Sequence, residues 1–174
     1  MKKKFAFVVL GITLFCGFGY AQTEVEDYFE LGGTFMSMQP GSLKYPYTGG
    51  GINFAGVSRK GNVFGWGAYA NFVHMAVGEV TLINIDMLLG PAFKIKINER
   101  FRLPIAFGVY IMYPFAFASS GAASGFNFGV GGNITAEFSL NDKVHLYGRV
   151  QGSYSILPGV GSIAPSLGIG WKTR

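Results

Sequence analysis

Cysteine is almost absent from this 174-residue sequence, because its single cysteine, Cys16, lies in an apolar N-terminal segment. We expect that segment to be removed, which leaves no thiol for disulfides, thiolate catalysis or cysteine-ligated metal. Histidine is scarce as well, with two residues in the chain, so a transition-metal site is not expected. The sequence therefore predicts a protein without a cofactor.

Charged residues are also few, at 13% of the chain, about half the usual share of a soluble domain. A soluble surface with so little charge would be difficult to keep in solution. The formal charge of +5 includes three N-terminal lysines, and without them 11 basic residues face 9 acidic ones. No basic run remains in the rest of the chain, so nucleic acid is not a predicted partner.

Long hydrophobic runs are missing after the first 21 residues, so no transmembrane helix of about 20 apolar residues is predicted. Hydrophobic residues nevertheless make up 49% of the chain and aromatic residues 16%, and the mean hydropathy is +0.33. High hydrophobicity without a spanning helix is typical of a membrane β-barrel, in which apolar residues occupy every second position. The length argues for one such domain.

The N-terminal segment has the organisation of an export signal. Three lysines precede an apolar stretch at 5–15 (FAFVVLGITLF), whose length is within the expected range of about 7–15 residues, and 19–21 (GYA) supplies small residues for cleavage. We therefore predict a signal peptide at 1–21 and a barrel domain at 22–174. Lipoprotein processing at Cys16 is the alternative, and it would tether the chain by lipid without changing the strand pattern.

Apolar and polar residues alternate repeatedly along the rest of the chain, whereas no helical period persists. The alternation is clearest near the C-terminus, where Leu146, Val150 and Ile169 each have a polar or small residue on either side. Each alternating segment is long enough to cross a bilayer as a tilted barrel strand, which takes about 9–11 residues. We predict eight strands, at 28–39, 48–58, 63–74, 79–97, 100–112, 124–139, 143–155 and 161–172.

The predicted connections alternate in length. Three junctions are tight polar turns, at 59–62, 98–99 and 141–142, whereas those at the other rim are longer apart from a short one near 77–78. Outer-membrane barrels have short periplasmic turns, so we expect both chain termini on the periplasmic rim. Aromatic residues cluster near both predicted rims, as they do in the girdles of such barrels.

The composition of the polar strand face favours a membrane barrel. That face consists mostly of Gly, Ala, Ser, Asn and Tyr with scattered charges, which would make a poor solvent surface but suits a narrow lumen. A soluble ligand-carrying barrel of lipocalin type, with the apolar face inside, is the alternative. We expect the apolar face to contact lipid and the polar face to line the lumen.

Four features together identify a family resemblance: the signal FAFVVLGITLF followed by GYA, the eight alternating segments, the short RKGN, NE and ND turns, and a last strand ending LGIGW. With these features the chain resembles the small eight-stranded outer-membrane barrels, the group of the OmpX, OmpW and OmpA-barrel types. In that group the last strand usually ends on an aromatic residue, whereas here Trp171 is followed by three more residues. The resemblance implies an all-β, eight-stranded antiparallel up-and-down transmembrane β-barrel in the bacterial outer membrane, with outer-membrane lipid as its partner.

Charged residues on the predicted lumenal face form a candidate polar cluster. They are Glu30, Asp86, Arg102, Glu137 and Arg149. The interior of an eight-stranded barrel is just wide enough for side chains, so we expect these charges to pair and fill the lumen. A gated ion path through them is the alternative. General diffusion is not expected, because a water-filled porin needs about twice as many strands.

One predicted outer connection, 114–123 (PFAFASSGAA), is apolar and small where a polar loop is expected. Phe115 and Phe117 make it a candidate entry loop for hydrophobic molecules. The resemblance to the OmpW type likewise implies a narrow pocket or conduit for small hydrophobic molecules. Such a molecule is therefore the ligand expected under this alternative.

No group of residues in the sequence predicts catalysis, and we expect a structural or surface-interaction barrel that is not an enzyme. The pocket or conduit for hydrophobic molecules is the alternative function. A lipid-modifying enzyme is a weaker alternative, because His74 and Asp86 near the outer rim resemble the lipid A palmitoyltransferase barrel in residue type only. An adhesin ranks lower, since the predicted loops are short. The sequence does not indicate an oligomeric state.

Overall fold

The computed structural model describes residues 25–41, 46–60, 64–156 and 159–173. The predicted export signal and Cys16 lie outside these residues. No helix among the described residues is long and apolar enough to cross a membrane. The strands are Val25–Pro40 (β1), Tyr47–Lys60 (β2), Phe64–Val77 (β3), Val80–Lys96 (β4), Phe101–Ala118 (β5), Gly121–Ser124 (β6), Asn127–Ser139 (β7), Val144–Ser155 (β8) and Val160–Lys172 (β9).

The strands close into a barrel. Strands β1 to β5 pair in chain order, β5 pairs next with β7, and β7, β8 and β9 follow in the same way. Strand β9 then pairs with β1, and every pairing is antiparallel. The predicted eight-stranded antiparallel up-and-down barrel is confirmed. Closure also pairs both edges of the sheet, which would otherwise be open to other chains.

This topology defines two rims. The terminal rim carries the start of β1, the end of β9 and the connections β2–β3, β4–β5 and β7–β8, whereas the hairpin rim carries the other connections. Two terminal-rim turns are closed by asparagine. Asn98 Oδ1 accepts the backbone N–H groups of Arg100 and Phe101 at 2.9 and 2.8 Å. Asn141 Oδ1 accepts the corresponding pair in the β7–β8 turn, and such side chain-to-backbone bonds explain the tight polar turns.

The predicted outer loop at 114–123 is wrong, because these residues extend the sheet. Strand β5 continues to Ala118 and turns back into β6, with Phe115 paired to Ser124 and Ala118 to Gly121. The sequence obscures this hairpin because its small and apolar residues do not alternate and because proline usually ends a strand. Pro114 is tolerated here since its carbonyl still accepts the Gly125 N–H at 3.1 Å.

Burial alternates along the strands and identifies the inner face. On β7, Val130 and Ile134 are 61% and 58% exposed, whereas Asn133 and Thr135 between and beside them are buried. The axis of a narrow barrel is the sheltered side, so the polar residues line the lumen and the apolar residues form the outer surface. The lipocalin-type alternative, which needs the apolar face inside, is therefore wrong.

Aromatic side chains pack against one another on the outer surface near the terminal rim. Phe29 stacks on Trp171 with ring centroids 6.2 Å apart. Phe64 contacts Phe93 edge-on at 5.5 Å. Aromatic rings prefer the interface between lipid tails and water, so this cluster has the character of one girdle of a membrane barrel.

Candidate functional site

The inward side chains divide the lumen into two halves. The charged half lies towards the terminal rim and contains Glu30, Arg59, Glu137, His145 and Arg149. The apolar half lies towards the hairpin rim and contains Met36, Met38, Val73, Met75, Leu82, Tyr110, Met112, Val160 and Ala164. The period of two along each strand places all of these side chains on the inner face. The lumen is therefore the candidate functional site.

One ion pair of the charged half joins β2 to β7 across the lumen. Arg59 Nη1 donates to Glu137 Oε2 at 3.0 Å, and Arg59 Nη2 donates to the other carboxylate oxygen. Both side chains are buried. This two-pronged geometry matches the planar guanidinium to the carboxylate and is the strongest form of such a pair. The guanidinium also lies 4.8 Å from the ring centroid of Tyr28.

A second ion pair joins β1 to β8. Arg149 Nη2 donates to Glu30 Oε2, and Arg149 Nε donates to Thr135 Oγ1 at 2.9 Å. The guanidinium lies over the rings of Tyr69 and Tyr147, whose centroids are 4.5 and 4.8 Å from its carbon. Cation–π contacts of this kind strengthen when the groups are removed from water, as they are here.

His145 completes the second pair and depends on a glycine beside it. Its Nε2 lies 3.0 Å from Glu30 Oε1, so the carboxylate has partners on both oxygens. The imidazole occupies the space that a β-carbon would take at Gly170, and such a carbon would also lie 3.0 Å from Glu30 Cγ. Glycine at position 170 is therefore what allows the ring to reach the carboxylate.

The charged half resembles a metal site in composition but not in bonding. The ligand atoms of Glu30, Glu137 and His145 lie within 4.8 Å of one another. Both carboxylates are, however, already bound by arginine, and a metal ion would have to displace Arg59 and Arg149. The arrangement favours cross-lumen ion pairs that tie four strands together over metal binding.

The structure brings together three of the charged residues singled out in the sequence, Glu30, Glu137 and Arg149, and separates Asp86 from them. Arg102 is half-buried near the terminal rim, where Glu137 is its register partner on β7. Asp86 lies deeper, away from the ion pairs. Its carboxylate accepts hydrogen bonds from amides, those of Asn71 at 2.8 Å, Asn84 at 3.2 Å and Gln151 at 3.4 Å.

Sequence reasoning missed Arg59 and His145. Arg59 was expected in a turn, but β2 extends to Lys60 and keeps its alternation, so Arg59 shares the inner face with Ala55 and Val57. The alternation that continues through Arg59 was the signal in the sequence that could have placed it on the inner face. His145 alternates correctly in the predicted strand, but the pattern does not indicate that it contacts Glu30 on another strand.

His74 and Asp86 do not form a catalytic pair. His74 is on the exposed outer face of β3, whereas Asp86 faces the lumen and is 1% exposed. The barrel wall separates the two side chains. The resemblance to a lipid-modifying enzyme therefore finds no support in their placement.

Phe115 and Phe117 belong to the extended end of β5 rather than to a loop. Phe115 is half-buried and its ring lies 4.7 Å from that of Tyr113. Phe117 is 44% exposed at the hairpin rim. Both residues are therefore held on a strand, and Ala116 between them packs against the apolar half.

The side chains of the apolar half pack against one another. Met36, Val73 and Met75 are fully buried, and Tyr47 packs against them from the hairpin rim. Gly49 makes this packing possible, because a β-carbon at that position would lie 2.6 Å from Met75 Cγ. Long, flexible thioether side chains fill irregular space well, so four methionines suit this narrow lumen.

No protein-family model matches the chain, and no curated protein matches it. Solved structures do. Ail, the attachment invasion locus protein of Yersinia pestis, is 15% identical with a TM-score of 0.67 over 86% of this chain and 99% of its own. Neisserial surface protein A is 11% identical, with a TM-score of 0.67 and the same coverage.

A third similar structure is the N-terminal β-barrel domain of OprF from Pseudomonas aeruginosa, at 11% identity and a TM-score of 0.54 over 86% of this chain and 99% of that domain. At these identities the likeness concerns the fold. The fold of this chain is that of the small outer-membrane β-barrels, as its resemblance to that group predicted.

Proposed function

We propose that this chain is an integral β-barrel of the bacterial outer membrane with a largely filled lumen and a structural or surface-interaction role rather than a catalytic one. The observation that carries the proposal is that side chains in both halves of the lumen are fully buried, with Met36 and Glu30 each 0% exposed. The apolar outer surface and the aromatic cluster near the terminal rim support insertion in a membrane. Export after cleavage near Ala21 belongs to the same proposal.

The first test asks whether the barrel inserts with its apolar face towards lipid and its polar face towards the lumen. Leu146→Cys and Tyr147→Cys place a thiol on adjacent residues of β8, one facing outward and the other inward. A polarity-sensitive label at position 146 is expected to report lipid contact, and the label at position 147 is expected to be shielded from lipid. A protein that is soluble and monomeric without detergent would contradict the proposal.

The second test asks whether the lumen conducts. In planar bilayers the barrel is expected to give no steady ion current, because the ion pairs and the methionines both occupy the pore. Heat-modifiable gel migration of the same preparation shows that the barrel is folded. Reproducible single-channel steps from folded protein would exclude a filled lumen.

A surface role would use the hairpin rim. Ail has been solved with the heparin analogue sucrose octasulfate, a polyanion. The hairpin rim of this chain offers mainly small and apolar side chains on β6 and the end of β5, and Glu79 is the charged residue among its described connections. We therefore expect the described part of this rim to contact apolar or uncharged partners rather than sulfated glycans.

A pocket or conduit for small hydrophobic molecules is the second candidate function. The apolar half of the lumen and the exposed Phe117 at its rim favour it. Uptake of a hydrophobic substrate by cells that produce the Phe115→Ser/Phe117→Ser variant tests it. Unchanged uptake, at unchanged amounts of folded barrel, would reject the conduit.

A further inference from the structure

A belt of polar side chains separates the two halves of the lumen. At its centre the Asp86 carboxyl group accepts hydrogen bonds from the amides of Asn71, Asn84 and Gln151 on three different strands. Asn133 on β7 is the register partner of Gln151 and is also buried. This polar belt borders the apolar half at Asn84, which contacts a methionine sulphur, and the charged half at Asn133.

Unpartnered polar atoms are concentrated in and beside the polar belt. Among the described residues, five buried side-chain nitrogen or oxygen atoms have no hydrogen-bond partner: Asn84 Oδ1, Tyr110 Oη, Asn133 Nδ2, Asn133 Oδ1 and Arg149 Nη1. None of the four residues is more than 3% exposed. Leaving such atoms unpaired is costly, and native structures normally pair them with protein or with a bound molecule. Their concentration in one section of the lumen therefore indicates a ligand.

Asn133 and Arg149 are placed to share one small molecule. In the β7–β8 register Asn133 pairs with Gln151 and Thr135 pairs with Arg149. Asn133 and Arg149 are therefore diagonal neighbours on the inner face, which puts their Cβ atoms within about 7–8 Å of each other. The guanidinium is held by bonds to Thr135 and Glu30 through its other nitrogens, and its Nη1 is the one without a partner.

The chemistry of the five atoms identifies the kind of ligand. Arg149 Nη1 and Asn133 Nδ2 can only donate, Asn84 Oδ1 and Asn133 Oδ1 can only accept, and the Tyr110 hydroxyl can do both. An anion would satisfy only the donors, and a cation only the acceptors. Asn133 is the clearest case, because both ends of its amide lack a partner and rotating the amide changes nothing. A small neutral molecule that both donates and accepts fits the whole set.

We propose that the polar belt binds internal water molecules, one of which bridges Arg149 Nη1 to the Asn133 amide, while others bond to Asn84 Oδ1 and the Tyr110 hydroxyl. Buried water typically makes about three hydrogen bonds to groups that the protein leaves unpaired. The inference rests on the proposed filled lumen and adds that water is part of the filling. This water joins the ion pairs of the charged half to the hydrogen bonds at Asp86, and the methionines end the polar network.

The first test detects the water directly. The folded barrel is purified from membranes in detergent with ¹⁵N label, and nuclear Overhauser contacts between water and side-chain amides are recorded. We expect a contact with the sign of long-lived bound water at the Asn133 amide, whose signal is assigned by its loss in Asn133→Leu. Asn141, in an exposed terminal-rim turn, is the matched control and should contact only fast-exchanging water.

The second test uses the sign of a stability change. Asn133→Leu removes the two unpartnered amide atoms at similar side-chain volume. If water bridges them to Arg149, the substitution displaces that water, leaves Nη1 unpaired and should lower the urea midpoint of unfolding. If the atoms are truly unpaired, their removal should raise the midpoint. Val130→Leu, on the outward face of the same strand, is the control and should change the midpoint little.

Three results would overturn the proposal. The first is a folded parent barrel without a long-lived water contact at Asn133, and the second is a higher urea midpoint for Asn133→Leu. The third is a chloride-dependent shift of the Asn133 amide signal, which would indicate an anion site instead. Failure of the filled lumen itself is distinguishable, because it would produce steady ion current in planar bilayers whatever the water contacts are. If Asn133→Leu does not fold, the water contacts of the parent barrel carry the test alone.

Discussion

The two halves of the lumen occupy the same narrow barrel but are held by different forces. In the charged half each group depends on a particular partner, as Glu30 does on Arg149 and His145. In the apolar half Met36, Val73 and Met75 are held by volume and contact, and no single partner is essential. The charged half should therefore be sensitive to the chemical identity of a side chain, and the apolar half to its size.

The strongest test of this difference is Arg149→Met. The substitution leaves the Glu30 carboxylate buried without its guanidinium, and breaking a buried pair costs about 3–5 kcal/mol. The measurement is urea-induced unfolding in lipid vesicles, followed by tryptophan fluorescence. Arg100→Met, at an exposed turn, is the control and should change stability little. If Arg149→Met lowered the free energy of unfolding no more than Arg100→Met does, the charged half would not depend on specific partners as described.

The apolar half should respond most to loss of volume. Met36→Ala creates a cavity in a fully buried position and is expected to lower the free energy of unfolding by about 2–5 kcal/mol. Met87→Ala, on the outward face of β4, should cost less in the same assay. If the two substitutions lowered the free energy of unfolding equally, packing inside the lumen would not contribute to stability.

Shape also matters in the charged half, where a glycine admits the histidine ring. Gly170→Ala places a β-carbon against the His145 imidazole and should cost about 1–3 kcal/mol through forced displacement of the ring. Gly152→Ala is the matched control, because a β-carbon there has no atom within 4 Å. If both substitutions have the same effect in urea unfolding, the ring is not held as described.

The smallest loss of stability is expected when a side chain of the apolar half is replaced by a different one of similar size. Met75→Leu should cost less than about 1.5 kcal/mol, because it conserves volume. Glu30→Gln is equally conservative in shape, yet it leaves Arg149 unpaired and should cost several times more. Similar costs for these two substitutions, measured by the same unfolding curves, would contradict the distinction between the halves.

The sequence predicted the barrel well because its wall depends on local patterns. Alternation, turn residues and strand length are all readable within a dozen residues, as they are around Asn98 and Asn141. Strand β6 was missed because Gly, Ala and Ser carry no alternation. The pairing of Arg59 with Glu137 was missed because it depends on which strands face each other across the lumen, and the separation along the chain is 78 residues.

The contrast between the lumen halves was not predictable for the same reason. Met36, Met75 and Met112 are single apolar residues on the polar face of three different strands. In the sequence each one simply interrupts the alternation of apolar and polar residues. They become a cluster only when the register of the closed barrel brings them to one level. The isolation of Asp86 from the other charges likewise depends on its height in the barrel and not on its sequence neighbours.

Pairing of the first strand with the last has a consequence for how the molecule is made. Glu26 and Lys172, which bond across this seam, are 146 residues apart in the chain. The barrel cannot close until the last strand is present. A chain without that strand therefore has two unpaired strand edges that other chains can bind. Assembly that relies on such distant contacts is slow. Until the two ends meet, the unpaired edges of the first and last strands are therefore open to pairing with other chains.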